Sequence, residues 1–181
     1  MSDAMPPEGV VSAHADAEGV TIVRVFDAPR EALFKAWTEA EQFSRWFGEE
    51  DSSIPMENIE MDARPGGAWH ATMIFGPERV EIPFQGEFVE VVEPERVVMT
   101  LTDQQNVDPS KREVLTAVFE DLGGGRTEMT FTQRGGNVSS DEYTRALRGE
   151  LIFFERLGRH LKGRHDPPSG SGPRAQGAGP R

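Results

Sequence analysis

The chain has no cysteine. Disulfides, thiolate nucleophiles and thiolate-held metals are therefore excluded, and the composition fits a reducing compartment, so a soluble cytoplasmic protein is expected. No apolar run approaches the roughly 20 residues that cross a bilayer. The first residues, MSDAMPPEGV, lack the basic-then-apolar layout of a secretory signal. Positive charge is also short, with 19 Lys and Arg against 31 Asp and Glu and a formal charge of −12. Such a field repels phosphate backbones and anionic lipid, so neither a nucleic-acid partner nor membrane insertion is expected. Catalytic signatures are missing too. There is no G-x-S-x-G, no H-E-x-x-H and no P-loop, and the nearest approach to G-x-G lies in the C-terminal tail with no strand before it or helix after it.

What is present divides into a folded unit and two tails. From Arg164 onward, RHDPPSGSGPRAQGAGPR holds no apolar side chain larger than Ala and cannot offset its ordering entropy by burial, so 164–181 reads as a disordered tail. Residues 1–17 read as a second disordered segment, leaving 18–163 as the domain. That domain opens on GVTIVRVFD, where Val20, Ile22 and Arg24 share one face of a β-branched strand. Helical signals follow at once. Pro29 suits a first helical position, and Ala32, Leu33, Ala36 and Trp37 fall at helix spacing. Thr38 and Glu41 read as a capping box for a second short helix that carries Phe43, Trp46 and Phe47.

From Ile54 to Arg134 the pattern is one strand after another. Turns are expected at Pro65-Gly66-Gly67, Gly76-Pro77, Glu93-Pro94-Glu95, the polar stretch 103–111, and Gly123 to Gly125. Alternation is clearest in Trp69, Ala71, Met73, Phe75; in Val97, Met99, Leu101; in Leu115, Ala117, Phe119; and in Met129, Phe131, Gln133. The period then changes. Ser139 with Glu142 forms a capping box, and Tyr143, Leu147, Leu151, Phe154, Leu157 and Leu161 recur at steps of three and four before Gly163, so a long amphipathic helix over 139–162 is expected. Gly149 inside it implies close approach to a neighbour or simple tolerance.

The stretches FDAPREALFKAWTEAEQFSRWFG (26–48), DARPGGAWHATM (62–73), GEFVEVVEPERVVMT (86–100) and VFEDLGGGRTEMTFTQR (118–134) resemble, in order, the activator-of-Hsp90-ATPase-like family of the START/polyketide cyclase/Bet v 1-like (SRPBCC) superfamily. The resemblance implies an α+β helix-grip fold. In that fold a curved antiparallel sheet of about six or seven strands wraps a long C-terminal helix, and two short helices follow the first strand. Two positions depart from the pattern of these relatives. Gln133 stands where they often carry His, and Glu150 follows Gly149 where they often carry Trp.

Chemistry has few other places to sit. Of four histidines, His14 and His165 fall in the expected tails, His160 lies in the last helical turn, and His70 alternates with the apolar set and so points outward. Glu49, Glu50 and Asp51 are adjacent carboxylates that point in different directions, so they read as a solvated loop and no metal site is expected. The inward face is what remains. Trp37, Trp69, Met73, Phe84, Phe88, Met99, Phe119, Met129, Phe131, Tyr143, Leu147 and Phe154, with the amide of Gln133, suit either a packed core or the lining of an apolar pocket. Three functions follow, in order. The first is binding of a small hydrophobic or amphiphilic molecule between sheet and C-terminal helix, with Gln133 and Tyr143 orienting polar atoms and no cofactor or catalytic residue. The second is a co-chaperone-like or regulatory protein-interaction module, which would leave Phe43, Trp46 and Phe47 uncovered. The third is a cyclase- or hydrolase-type enzyme on the same pocket, which needs a titratable group inside it.

Overall fold

The computed structural model describes residues 9–103, 112–136 and 138–165. Strands β1 (Val10–Asp16) and β2 (Gly19–Phe26) lead into helices α1 (Arg30–Thr38) and α2 (Ala40–Trp46). Two short strands follow, β3 (Ser52–Ser53) and β4 (Ile59–Met61). Five longer ones come next, β5 (Ala68–Phe75), β6 (Val80–Val92), β7 (Arg96–Asp103), β8 (Glu113–Gly123) and β9 (Arg126–Gly135), before helix α3 (Ser140–His165). The strands form one antiparallel sheet in the order β1-β2-β9-β8-β7-β6-β5-β3, with β4 also paired to β5. This is the open antiparallel sheet with two short helices and a long terminal helix that the resemblance implied, with nine strands in place of about six or seven and the helices after the second strand, because β1 precedes the strand expected first.

Alternation sets which side is buried. On β2, Val20, Ile22, Arg24 and Phe26 face the core, and on β9, Thr127, Met129, Phe131 and Gln133 do the same. The Pro65–Gly67 turn is fixed by close approach. Gly66 has φ +83 and its N–H donates to the Phe88 carbonyl, while Phe88 N–H donates back to Gly67. A Cβ at Gly67 would stand 1.9 Å from the Asp62 carbonyl oxygen. The turn is thereby tied to β6, and Trp69 enters the interior with its Nε1–H donating to Thr100 O at 2.9 Å. Gly86 makes room for that ring, since a Cβ there would lie 2.7 Å from Trp69 Nε1 and 1.9 Å from Thr100 O.

Four expectations need correction. The N-terminal segment is not disordered throughout 1–17, because Val10–Asp16 forms β1 and pairs with β2, which places His14 opposite Thr21 on a strand. That run alternates little and is mostly exposed, so hydrophobic period could not reveal it; backbone pairing with β2 holds it. The box between Thr38 and Glu41 does not form. Thr38 Oγ1 instead donates to Phe34 O, one turn back, and Glu39 caps α2 without a side-chain bond. Helix α3 passes through Gly163 to His165, since Gly163 meets no neighbour and a single glycine only weakens a helix. Close approach at Gly149 is the fourth, because nothing lies within 4 Å of where its Cβ would be. The box at α3 does form, with Ser139 N–H donating to Glu142 Oε2 at 2.8 Å and Glu142 N–H to Ser139 Oγ at 3.3 Å. The turn expected over 104–111 and the tail from 166 onward lie outside the described residues.

Candidate functional site

All the predicted inward residues face the interior, but they divide into two kinds. Trp37, Trp69, Met73, Phe88, Met99, Phe119, Met129, Phe131 and Phe154 are each at most 3% exposed. They are packed with α1 and α2 as a continuous aromatic core. Trp37 lies 5.0 Å from Trp46 and 6.0 Å from Phe131 between ring centroids, and Phe131 lies 4.9 Å from Phe154. Offset and edge contacts at these separations add to the burial energy. The indole Nε1 of Trp37 has no hydrogen-bond partner among the described residues, the mark of a ring placed for packing.

The second kind gathers where β6 begins, β7 ends, β8 begins and β9 ends, under the first half of α3. Phe84, Leu101, Leu147 and Leu151 are only partly buried and rest against the core, Phe84 with its ring edge-on to Phe47 at 5.4 Å between centroids. Register carries the polar groups to the same place. Glu113 continues the inward series Leu115, Ala117, Phe119 on β8 and pairs with Leu101 on one side and Gly135 on the other. Gln133 continues the series Met129, Phe131 on β9 and pairs with Leu115.

These polar groups form a connected set. Gln133 is 4% exposed, and its Nε2 donates to Glu113 Oε2 at 2.9 Å. That bond fixes the amide orientation, because a flipped amide would set two acceptors against each other. Gln133 Oε1 is left buried with no partner. The hydroxyl of Tyr143 donates to the Gly135 carbonyl, and burial, followed by the Glu113 charge, raises its pKa against a smaller opposing effect of Arg134. Glu150 lies on the same stripe of α3 as Tyr143, Leu147 and Phe154. Desolvation and then the neighbouring Glu113 push its carboxyl up to about 8.

Glu113 is a residue that the sequence reading missed, and Glu150 figures there only as a departure from the pattern of the relatives. The signal was available in both elements. Each carboxylate occupies the next inward position of a period that was followed only through its apolar members.

Elsewhere several charged side chains are paired. On α3, Arg156 donates to the Glu49 carbonyl at 2.7 Å, and Arg159 bonds Glu50, so the acidic loop serves as a helix anchor. Further along, Arg24 is 6% exposed, lies 3.5 Å from Glu155 and sits over the Phe26 ring, which holds α3 against β2. His70 points outward, 3.4 Å from Glu60. Among the described residues no group of three or more His, Asp or Glu side chains could hold a metal ion. An open groove of about 880 Å³ between α2, β3 and the end of α3 is lined by Arg45, Glu50, Ile54, Met56, Arg156 and His160, among others, and includes none of the predicted pocket residues. Phe43, Trp46 and Phe47 are at most 5% exposed, so the apolar patch required by the interaction-module reading is not at those residues.

The sequence profile described as activator of Hsp90 ATPase homolog 1-like protein matches residues 27–161. The chain belongs to this family. Its fold is shared by a protein from Chromobacterium violaceum, with TM-score 0.70 and 20% identity over 80% of this chain and 97% of that one. It is shared equally by the AHSA1 protein of Silicibacter pomeroyi, with TM-score 0.69 and 22% identity over 80% and 98% of the two chains. A protein from Arthrobacter aurescens gives TM-score 0.71 and 22% identity over 84% and 92%. At these identities the likeness establishes the Bet v 1-like fold and nothing finer. No match was found among curated proteins. No helix among the described residues is long and apolar enough to cross a membrane.

Proposed function

We propose that this family member binds a small amphiphilic molecule between the first half of α3 and the sheet end formed by Phe84, Leu101, Glu113 and Gln133. The observation that carries the reading is the buried, unpartnered Oε1 of Gln133, on β9 between Val20 of β2 and Leu115 of β8. A buried amide oxygen without a partner costs about 1–3 kcal/mol, so it is retained where something else satisfies it. The aromatic half, being filled by its own rings, is scaffold in this reading. Affinity would come from burial at about 25 cal/mol per Å² of apolar surface, and orientation from Gln133 and Tyr143.

Native mass spectrometry of protein purified without denaturation, compared with the same sample after unfolding, tests it. An added mass that disappears on unfolding is expected. Leu147→Trp, a larger side chain at the proposed binding position, should remove that mass and leave the circular dichroism unchanged. An unmodified mass in the wild type, together with no uptake of any apolar probe, would sink the proposal.

A further inference from the structure

We infer that the open groove between α2, β3 and the end of α3 binds an organic phosphate monoester, its phosphoryl oxygens held by Arg156 together with Arg45 and Arg159, and its apolar body lying on Pro55 and Met56. The site is separate from the pocket proposed above and does not depend on it. Its centre is Arg156. Nη1 donates to the Glu49 carbonyl at 2.7 Å and to Ser52 Oγ at 3.4 Å, and Nη2 donates to the Arg45 carbonyl at 3.4 Å. All three acceptors are neutral, so they fix the plane of the guanidinium and leave its charge uncompensated. Among the described residues nothing accepts from Nε, and no carboxylate pairs with this arginine. Nε and Nη2 are the adjacent nitrogens that grip an oxyanion side-on.

The rest of the groove suits the same head group. Arg159 stands three residues further along α3 and Arg45 comes from α2, and both line the groove with Arg156. Their own partners hold them weakly. Arg45 lies 3.6 Å from Glu41 and Arg159 bonds Glu50, in pairs more than half exposed on both sides. Exposed pairs of this kind contribute little to stability, so an incoming anion can share these guanidiniums. Guanidiniums outnumber carboxylates three to two along this groove, in a chain whose formal charge of −12 keeps anions from most of its surface. A carboxylate has two oxygens and is spent on one guanidinium. A phosphate monoester has three terminal oxygens and a charge of about −1.5 to −2 at pH 7, enough to engage Arg156 and a neighbour. The groove is also lined by Pro55 and by Met56, which is 52% exposed with its sulfur 3.7 Å from Ser44 Oγ, so the ester group meets apolar surface.

Isothermal titration calorimetry of the full chain at pH 7 tests this with phenyl phosphate, inorganic phosphate, benzoate and benzyl alcohol. Phenyl phosphate should bind about tenfold tighter than benzoate and about threefold tighter than inorganic phosphate, and benzyl alcohol should give no heat of binding. Arg156→Lys keeps the charge but removes the side-on grip, and should weaken phenyl phosphate about tenfold. Arg45→Gln changes an exposed side chain that the fold does not need, and should weaken it about threefold. Met56→Ala should remove the advantage of phenyl phosphate over inorganic phosphate and leave the latter unchanged. Leu147→Trp should bind phenyl phosphate as the wild type does, since Leu147 belongs to the other site. Benzoate binding as tightly as phenyl phosphate would overturn the phosphate assignment. Unchanged affinity in both arginine variants would overturn the site itself, as would failure of phenyl phosphate to bind the folded wild type at about 10 mM.

Discussion

The two ends of the interior obey different rules. Under α1, α2 and the second half of α3, side chains are aromatic and almost fully enclosed, with Trp46 Nε1 bonded to Ala36 O at 2.8 Å and Trp37 Nε1 left without a hydrogen-bond partner among the described residues. Under the first half of α3 the apolar side chains are only partly covered, and a buried amide oxygen and two mutually repelling carboxyls are tolerated. Buried polar groups are costly wherever they sit. At the aromatic end dense ring packing offsets the one orphaned indole N–H, whereas the other end carries its polar penalty with less apolar burial beside it.

The contrast can be broken most forcefully at Phe131. Its full burial against Trp37 and Phe154 predicts that Phe131→Ala loses about 3–5 kcal/mol, measured by urea unfolding. Leu147→Ala should lose clearly less, because the leucine is only partly buried. Equal losses would mean that the two ends are packed alike. Next in size is Gly86→Ala, which would drive a methyl into Thr100 O and Trp69 Nε1. A loss of about 1–3 kcal/mol in the same assay is expected, with a changed tryptophan fluorescence as Trp69 is displaced.

The aromatic end was legible in the sequence because burial there follows period, and period is written residue by residue. Trp69, Met99, Phe119 and Phe131 could be assigned to the interior from alternation alone. Strand β1 was not legible, since VVSAHAD is exposed and held by backbone bonds that any sequence can make. The polar end was half legible. Gln133 and Tyr143 were visible, whereas Glu113 was passed over, and Glu150 figured only as a departure from the relatives, because the rule that reads apolar stripes is silent about a charged residue in the stripe. That the charge of one such residue is felt by the other across strand and helix is tertiary information, fixed by the register of β8 on β9 and by where α3 starts.

Glu150 sharpens the comparison through pH. Its carboxyl is pushed up to about 8 from an ordinary value of 4.5, so the folded state binds a proton that the unfolded chain releases across that interval. Stability from this group is therefore full below about 4.5 and falls as pH rises toward 8. Glu150→Gln should match wild type at pH 5 and exceed it at pH 9. The gap should be on the order of 1–2 kcal/mol, below the full shift because the residue keeps some solvent contact. Thermal melts of both proteins across pH 5–9 check this. Parallel curves would show that the acid pair is solvated and that the polar end carries no penalty.

The smallest expected effect is the most local. Ser139 and Glu142 satisfy each other's N–H groups at the start of α3, one turn before Tyr143 and at the rim of the polar end. Ser139→Ala removes one half of that box and should lower global stability by about 1 kcal/mol. Hydrogen exchange tells more than the global value. The second half of α3 is held by Arg24, Arg156 and the aromatic core, so its amides should open only with the whole molecule. The first turns rest on partly buried leucines and the cap, so faster exchange in the variant should be confined to roughly residues 140–150. If exchange instead rises evenly along α3, the helix is a single cooperative unit, and the open end is no looser than the aromatic one beneath its far half.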